Sequence, residues 1–283
     1  MRRPNGERAS GQAQTERPAL SRRFYTAATV AAVASDDAAE AAPAAAPADP
    51  RARPLRAQGW RVLIDGRGLR TPAKRELAVP TRALAAAIAA EWEAQRETID
   101  PSSMPLTRLA NSAIDGVVGR QAEVCADIVK YLASDLVCYR ASNPLELVRR
   151  EAEAWDPILD WSQGVLGLRL RVGAGVVPLA QPPAAGAALA SWLQGLDAFA
   201  LTAMHVMTSL LGSALLALAH ARGHLALTAA WAAAHIDEDF QAEKWGVDQL
   251  AKARRDRQWG ELEAASRLLA LSGEIDKTFT ICR

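Results

Sequence analysis

The stretch from Phe199 to Asp248 decides the fold of this protein, and it reads FALTAMHVMTSLLGSALLALAHARGHLALTAAWAAAHIDEDFQAEKWGVD. Up to Ala221 it contains no Asp, Glu, Lys or Arg, so any charge there comes from His205 and His220. A helix that is apolar on every side lies either in the middle of a protein or in a bilayer. The second half of the stretch is also rich in Ala and Leu, but it turns abruptly acidic at Asp237.

The apolar run could just span a bilayer, since about 20 residues suffice. It has no aromatic belt and no flanking basic cluster, which membrane helices usually have. Its polar residues include Thr202, His205, Thr208 and Ser209. Its Ala, Gly and Ser content is typical of a central helix closely surrounded by others. We therefore predict one buried core helix, capped by Asp197 and ended by Gly223, and no stable membrane insertion.

The composition of the 283 residues is globular, with 50% hydrophobic and 23% charged residues. The formal net charge of +1 does not favour bulk binding to nucleic acid, so we expect no nucleic-acid partner. Cys125, Cys138 and Cys282 form no close pair and no metal-ligand spacing, which indicates a reduced, intracellular protein. We expect no metal and no cofactor.

Three segments are predicted to lie outside the folded elements. Residues 1–21 lack the apolar core of a secretory signal and are too polar to repay the entropy of ordering, so we predict a disordered extension. Residues 35–54 are rich in Ala and Pro and are interpreted as an inserted loop. Residues 271–283 are predicted to form a tail.

Residues 22–98 are predicted to form a small α+β domain. A first strand is expected between Arg23 and Val33, and Asp65-Gly66 between short apolar runs predicts a hairpin. A third strand is expected at Leu77–Pro80. Thr81 is in position to cap an amphipathic helix with an apolar stripe of Leu84, Ile88 and Trp92.

Residues 99–270 are predicted to form a larger, mainly α-helical domain. One helical stripe is expected to run from Val124 through Ile128 and Leu132 to Tyr139. Asp156-Pro157 resembles a capping residue followed by proline at the first helical position, which predicts a new helix there. Residues 166–179 alternate around two glycines and predict a small hairpin, and residues 254–269 predict a charged final helix.

The acidic segment after Ala234 allows three interpretations. Paired carboxylates can perform acid–base catalysis or bind a cation. They can also form a solvated helix face. On a helix Glu238, Gln241 and Trp245 fall near one face, so a third interpretation is a polar docking surface anchored by the tryptophan. No nucleophile elbow or phosphate loop is present. His220 and His224 are interpreted as ordinary helix-end histidines and not as metal ligands.

An ordered series of motifs carries a resemblance to a known family. Its first members are Arg23-Phe24-Tyr25, the hairpin LIDGRGLRTP, Glu91-Trp92, and Met104 to Asn111 with the sequence MPLTRLAN. Its later members are Asp135 to Arg140, Trp155-Asp156-Pro157, Gln181-Pro182, His205 with Thr208, Gly212-Ser213, Asp237-Glu238, Gln241, Trp245-Gly246 and Asp248. In this order and spacing they resemble the assembly chaperones for the F₁ sector of ATP synthase, the "ATP twelve" family.

The resemblance implies a non-enzymatic chaperone that binds the unassembled F₁ α subunit and prevents its aggregation until the subunit pairs with β. It also implies an α+β fold with a small N-terminal domain and a larger helical one. Its partner-binding motif falls here on Asp237, Glu238, Gln241, Trp245 and Asp248. We expect Glu238 to matter most. The free protein is expected to be a monomer in the cytoplasm of a bacterium, or in the mitochondrial matrix of a eukaryote.

Two alternatives stay open at this point. One is a small-molecule or metal-dependent enzyme that uses the acidic helix around Glu238 together with His235. The other is a membrane-anchored protein that uses the charge-free run.

Overall fold

The computed structural model describes residues 20–33, 59–175 and 177–273. Most of the predicted N-terminal extension lies outside these residues. The whole predicted loop at 35–54 and Cys282 also lie outside them. The predicted tail begins at 271, but the last helix continues to Ser272, and residues 274–283 again lie outside the described part.

A small antiparallel sheet opens the fold, with strands β1 (Ala28–Ala32), β2 (Trp60–Ile64), β3 (Arg67–Gly68) and β4 (Ala78–Val79). Strand β2 pairs with each of the other three. Asp65 and Gly66 both have positive φ, at 47° and 79°, so the predicted Asp-Gly hairpin between β2 and β3 is confirmed.

The first helix, α1 (Arg82–Glu93), covers this sheet as its apolar stripe predicts. The Thr81 hydroxyl accepts a hydrogen bond from the Leu84 amide at 3.1 Å, and it also donates to the Leu271 carbonyl near the end of the chain. Leu84 and Ile88 are fully buried. The cap therefore starts the helix and also joins it to the helical part of the molecule.

The rest of the described chain is mainly helical. Its helices are α2 (Pro105–Ser112), α3 (Gln121–Lys130), α4 (Leu145–Leu166), α5 (Pro183–Leu193), α6 (Ala198–Leu211), α7 (Ala214–Ala221), α8 (Leu227–Ala234), α9 (Ile236–Trp245) and α10 (Gln249–Ser272). Helix α2 continues into a π-helical turn, Ala113–Val117. The predicted α+β class is confirmed, whereas the domain boundaries at 22–98 and 99–270 stay predictions.

The apolar run forms the core as predicted, but as two helices and not one. Most residues of α6 and α7 are buried, and α6 packs against α2, α3, α7 and α10. The run breaks at Gly212, whose φ of 62° is left-handed, and Ser213 caps α7 by accepting from the Leu216 amide at 3.0 Å. None of the described helices combines the length and the hydropathy that crossing a membrane requires.

The prediction of a new helix at Asp156-Pro157 is wrong, because α4 runs through both residues without a break. Proline inside a helix removes only one backbone hydrogen bond, although its ring also strains the preceding turn. Burial compensates here: Trp155 and Ile158 on either side are buried, and the Trp155 indole donates to the Ala233 carbonyl at 2.8 Å.

Two further predictions are wrong in the segment after α3. The stripe ends as a helix at Lys130 and continues as 3₁₀ turns, because Asp135 adopts an extended backbone and its side chain bonds elsewhere in the fold. A short strand follows, β5 (Tyr139–Arg140). The expected hairpin at 166–179 is instead a single strand, β6 (Gly173–Ala174), which pairs in parallel with β5.

Candidate functional site

Helix α9 carries most of the predicted site residues and rests on a single aromatic side chain. Phe240 is its one buried residue. The Arg150 guanidinium lies 5.3 Å from the centre of the Phe240 ring, and the Lys244 ammonium lies 5.2 Å from it. Cations over an aromatic ring are attracted by its negative face. The helix is therefore held by one apolar anchor that charged side chains cover.

Three ion pairs fix α9 to its neighbours. Glu243 accepts from Arg150 of α4 at 2.8 Å, Lys244 reaches Glu146 of α4 at 3.3 Å, and Asp239 pairs with Arg255 of α10. Each of these pairs is substantially exposed, so each contributes at most about 1 kcal/mol. Their role is to set the position of the helix more than to stabilise the fold.

Glu238 and Gln241 differ from their neighbours on α9. Both are exposed, and neither makes a hydrogen bond or an ion pair with the rest of the described chain. Glu238 lies in the first turn of the helix, where a negative charge interacts favourably with the helix dipole. These two polar groups are therefore available to a partner without breaking an internal bond.

The turn between α9 and α10 exposes an unusual amount of apolar surface. Trp245 is 79% exposed, Val247 59% and Leu250 81%. We call these three residues the apolar turn. Leu145 is also exposed, and it begins α4 next to Glu146, the residue that reaches Lys244. Large apolar side chains that cluster in solvent mark interaction sites more often than isolated ones do.

Asp248 lies close to the apolar turn but has a structural role. Its carboxylate caps α10 by accepting from the Leu250 amide at 3.0 Å. The cap fixes the direction in which α10 leaves the turn. The prediction thus placed Asp248 beside the site, although the side chain already has a partner within the chain.

Asp237 is the predicted site residue that the structure separates from the others. It is half-buried, its Oδ1 atom is buried without a donor from the described residues, and its carboxyl group lies within hydrogen-bonding distance of Glu151 of α4. Asp237 and Glu238 therefore do not converge on one space, as a catalytic dyad would require.

Glu151 is the residue that sequence reasoning missed. It is only 1% exposed, and it accepts a hydrogen bond of 2.8 Å from the Ala141 amide. The pKa of Glu151 is raised to about 7, mainly by burial; the Ala141 amide opposes this shift and the neighbouring Asp237 carboxyl adds to it. The surrounding sequence LELVRREAEAW is so highly charged that it gives no signal of a buried carboxyl group.

The histidines considered as ligands or catalytic groups have other partners. Both ring nitrogens of His220 are bonded, to the Leu225 carbonyl at 3.0 Å and to the Ser266 hydroxyl at 2.8 Å. His224 stacks on Trp161, and His235 bonds the Trp231 carbonyl at 2.8 Å. Burial lowers the pKa of His235. Within residues 20–33, 59–175 and 177–273, no group of three or more His, Cys, Asp or Glu side chains is placed to hold a metal ion.

Several residues of the recognised motifs have a clear structural role. The Glu91 carboxylate accepts from the amides of Leu106 and Thr107 at 2.7 and 2.8 Å, which caps α2 from the preceding helix. Arg140 lies 5.1 Å from the centre of the Trp155 ring and pairs with Asp156 at 2.8 Å. Much of the motif series therefore specifies the fold and not the docking surface.

Comparison with known proteins gives one consistent result. A family model described as ATP12 chaperone protein matches residues 22–163. The crystal structure of Atp12 from Paracoccus denitrificans is 40% identical and superposes with a TM-score of 0.78, covering 89% of this chain and 98% of that one. A structure from Agrobacterium tumefaciens is 43% identical with a TM-score of 0.77, covering 89% of this chain and 86% of that one. The mitochondrial protein atp12 of Schizosaccharomyces pombe is 26% identical over 197 residues, which are 65% of this chain and 68% of that protein.

Proposed function

Since this chain belongs to the ATP12 chaperone protein family, we propose that it is an assembly chaperone for the F₁ sector of ATP synthase and binds the unassembled α subunit. It keeps that subunit from aggregating until β replaces it. The protein has no enzymatic activity in this proposal. It acts as a monomer in the bacterial cytoplasm, or in the mitochondrial matrix of a eukaryote.

The observation that carries the proposal is the apolar turn beside unpaired polar groups. Trp245, Val247 and Leu250 are exposed at one end of α9, and Glu238 and Gln241 are exposed along the same helix. Burying apolar area gains roughly 25 cal/mol per Å², and tryptophan is among the residue types that most often dominate an interface. A subunit awaiting its partner exposes apolar interface of its own, which such a turn can cover.

The same surface explains how the complex can be temporary. A chaperone must release its client, so its affinity has to stay below that of the true subunit contact. A small apolar centre surrounded by exposed charges supports binding of moderate strength. We therefore propose that α9 and the apolar turn form the docking surface, with Glu238 as its leading polar contact.

Co-expression with an F₁ α subunit followed by affinity capture tests this proposal. We expect the wild-type chain to be recovered with the α subunit and Glu238→Lys to capture roughly tenfold less, since reversing an interfacial charge costs several kcal/mol in unfavourable cases. Glu263→Lys is the matched control, because Glu263 is also exposed on a helix but lies past the middle of α10, away from the apolar turn.

Both variants should have the circular-dichroism spectrum of the wild type. Absence of a wild-type complex would overturn the proposed partner. Equal capture by Glu238→Lys and the control would remove Glu238 from the docking surface while leaving the partner in place.

A further inference from the structure

Two carboxyl groups meet where α9 begins to pack on α4. Glu151 is inaccessible to solvent, and Asp237 comes within hydrogen-bonding distance of it from the first turn of α9. The Ala141 amide donates to Glu151 Oε2 at 2.8 Å. Asp237 Oδ1 is buried and has no donor among the described residues.

The two carboxyl groups cannot both be ionised and also satisfy each other. An ionised carboxylate only accepts hydrogen bonds, so Asp237 Oδ1 would stay without a partner and two negative charges would face each other away from water. With one proton between the two groups, one carboxyl donates to the other. The buried atom then has its hydrogen bond and the repulsion is removed.

We propose that Glu151 is a positioning residue for the docking helix: a proton shared between Glu151 and Asp237 holds the first turn of α9 against α4, and loss of that proton releases the turn. This inference rests on the proposed function only where it calls α9 the docking helix. The shared proton itself is a property of the fold and is testable without a partner.

Among the groups around this pair, the shared proton is the main charge that changes near neutral pH. From β5, Arg140 faces Glu151, but its guanidinium is also bonded to Asp156 of α4. The turn before β5 brings Cys138, and burial raises the pKa of its thiol to about 12, so it stays neutral. Helix α7 contributes His220, whose two ring nitrogens are occupied, and α8 carries no charged residue.

The remaining charged side chains of α9 are ion-paired or exposed to solvent. Asp239, Glu243 and Lys244 are paired with Arg255, Arg150 and Glu146. Glu238 is exposed. His235, just before the helix, is buried, which lowers its pKa and keeps it neutral in the same range. The ion pairs of Glu243 and Lys244 hold the second half of α9, whereas the Glu151–Asp237 contact and the Asp239–Arg255 pair hold its first turn.

Thermal unfolding against pH tests the shared proton. The wild-type midpoint should fall by a few degrees between about pH 6 and about pH 8.5, because a carboxyl group with a raised pKa in the folded state loses its stabilising contribution as the pH rises through that value. Glu151→Gln places a neutral donor at the same position and should make that fall clearly smaller, leaving the part that the buried Asp135 carboxyl contributes. Glu153→Gln, two residues along α4 at an exposed ion pair, should keep the wild-type profile.

Binding then tests the positioning. Capture of the F₁ α subunit by the wild type should weaken by about tenfold from about pH 6.5 to about pH 8.5, and capture by Glu151→Gln should stay constant. Glu151→Ala, which leaves Asp237 Oδ1 without a donor, should weaken binding at both pH values. Binding by Glu151→Gln that no longer changes with pH is a result that a simple packing role would not give, because glutamine fills the same space as glutamate.

A measurement on the unmodified protein covers the case in which the variants do not fold. The Ala141 amide donates to Glu151, so its NMR chemical shift should titrate with a midpoint near neutral pH. A midpoint near the ordinary glutamate value, or parallel stability profiles for wild type and Glu151→Gln, would overturn the shared proton. A pH-dependent stability with pH-independent binding would overturn the positioning role. Failure of the α subunit to bind at any pH would count against the proposed function and leave the stability test intact.

Discussion

The Ser213 hydroxyl donates a 2.6 Å hydrogen bond to Asp135, a residue 78 positions earlier in the chain, and both side chains are completely buried. Asp135 also accepts from the Leu215 amide at 3.2 Å, and Ser213 accepts from the Leu216 amide at 3.0 Å. Together they satisfy the amides at the start of α7, directly after the break in the apolar run.

Replacing Asp135 and replacing Ser213 should both destabilise the protein, but by different amounts. Asp135→Ala leaves a buried hydroxyl and a buried amide unpaired and should cost about 3 kcal/mol of unfolding free energy. Ser213→Ala removes a cap and should cost about 1 to 2 kcal/mol. Denaturant unfolding measures both, and Ser209→Ala, at an exposed position of α6, should cost less than about 0.5 kcal/mol. Equal losses for all three variants would contradict this assignment.

Asp135 should also make stability depend on pH in a definite direction. Burial raises the pKa of Asp135 to about 6, above its value of 3.8 in the absence of the fold. The protonated form is therefore favoured by folding, and its contribution is complete below the lower value and is lost as the pH rises through about 6. Relative to Asp135→Asn, the wild type should lose about 3 kcal/mol between about pH 4 and about pH 7.5.

The difference between these two proteins isolates the Asp135 carboxyl, because every other titrating group is present in both. Chemical denaturation at several pH values measures it. A difference that does not change with pH would show that the Asp135 carboxyl keeps an ordinary pKa.

The break between α6 and α7 depends on the backbone of Gly212. Its φ of 62° is strained for any residue with a side chain, although a Cβ atom at this position would meet no other atom. Gly212→Ala should therefore cost about 1 kcal/mol. Gly164→Ala, inside α4 with ordinary helical backbone and equally open space, should instead stabilise by about 0.5 to 1 kcal/mol. A lower thermal unfolding midpoint for Gly212→Ala and a higher one for Gly164→Ala would confirm this interpretation. Two midpoint shifts of the same sign would refute it.

Trp245 should matter for binding and hardly at all for folding. It is 79% exposed, so Trp245→Ala should leave the unfolding free energy within about 0.5 kcal/mol of the wild type. Capture of the F₁ α subunit should fall by more than about tenfold, as expected for a central aromatic anchor. Phe24→Ala is the control, since Phe24 is 74% exposed near the sheet. Loss of binding in the control alone would move the docking surface to the sheet.

Local sequence signals were sufficient wherever neighbours along the chain determine the structure. Asp65-Gly66 specifies its turn, Thr81 and Asp197 cap the helices that follow them, and the charge-free run is buried. The exposed positions of Glu238, Gln241 and Trp245 on one helix also follow from helical spacing. Their assignment to partner binding, however, comes from family resemblance, because spacing alone equally allows a solvated face.

Contacts between residues far apart in sequence decided the rest. The sequence by itself determined the α+β class, the buried status of the central run and the candidate helix α9. Only the tertiary structure broke that run at Gly212, kept α4 continuous through Pro157 and paired β5 with β6. Only the fold brings Asp237 to Glu151, across 86 positions of sequence, and separates it from Glu238. The physical reason is that a carboxyl group's role depends on the water, charges and donors around it, and these come from other elements of the fold.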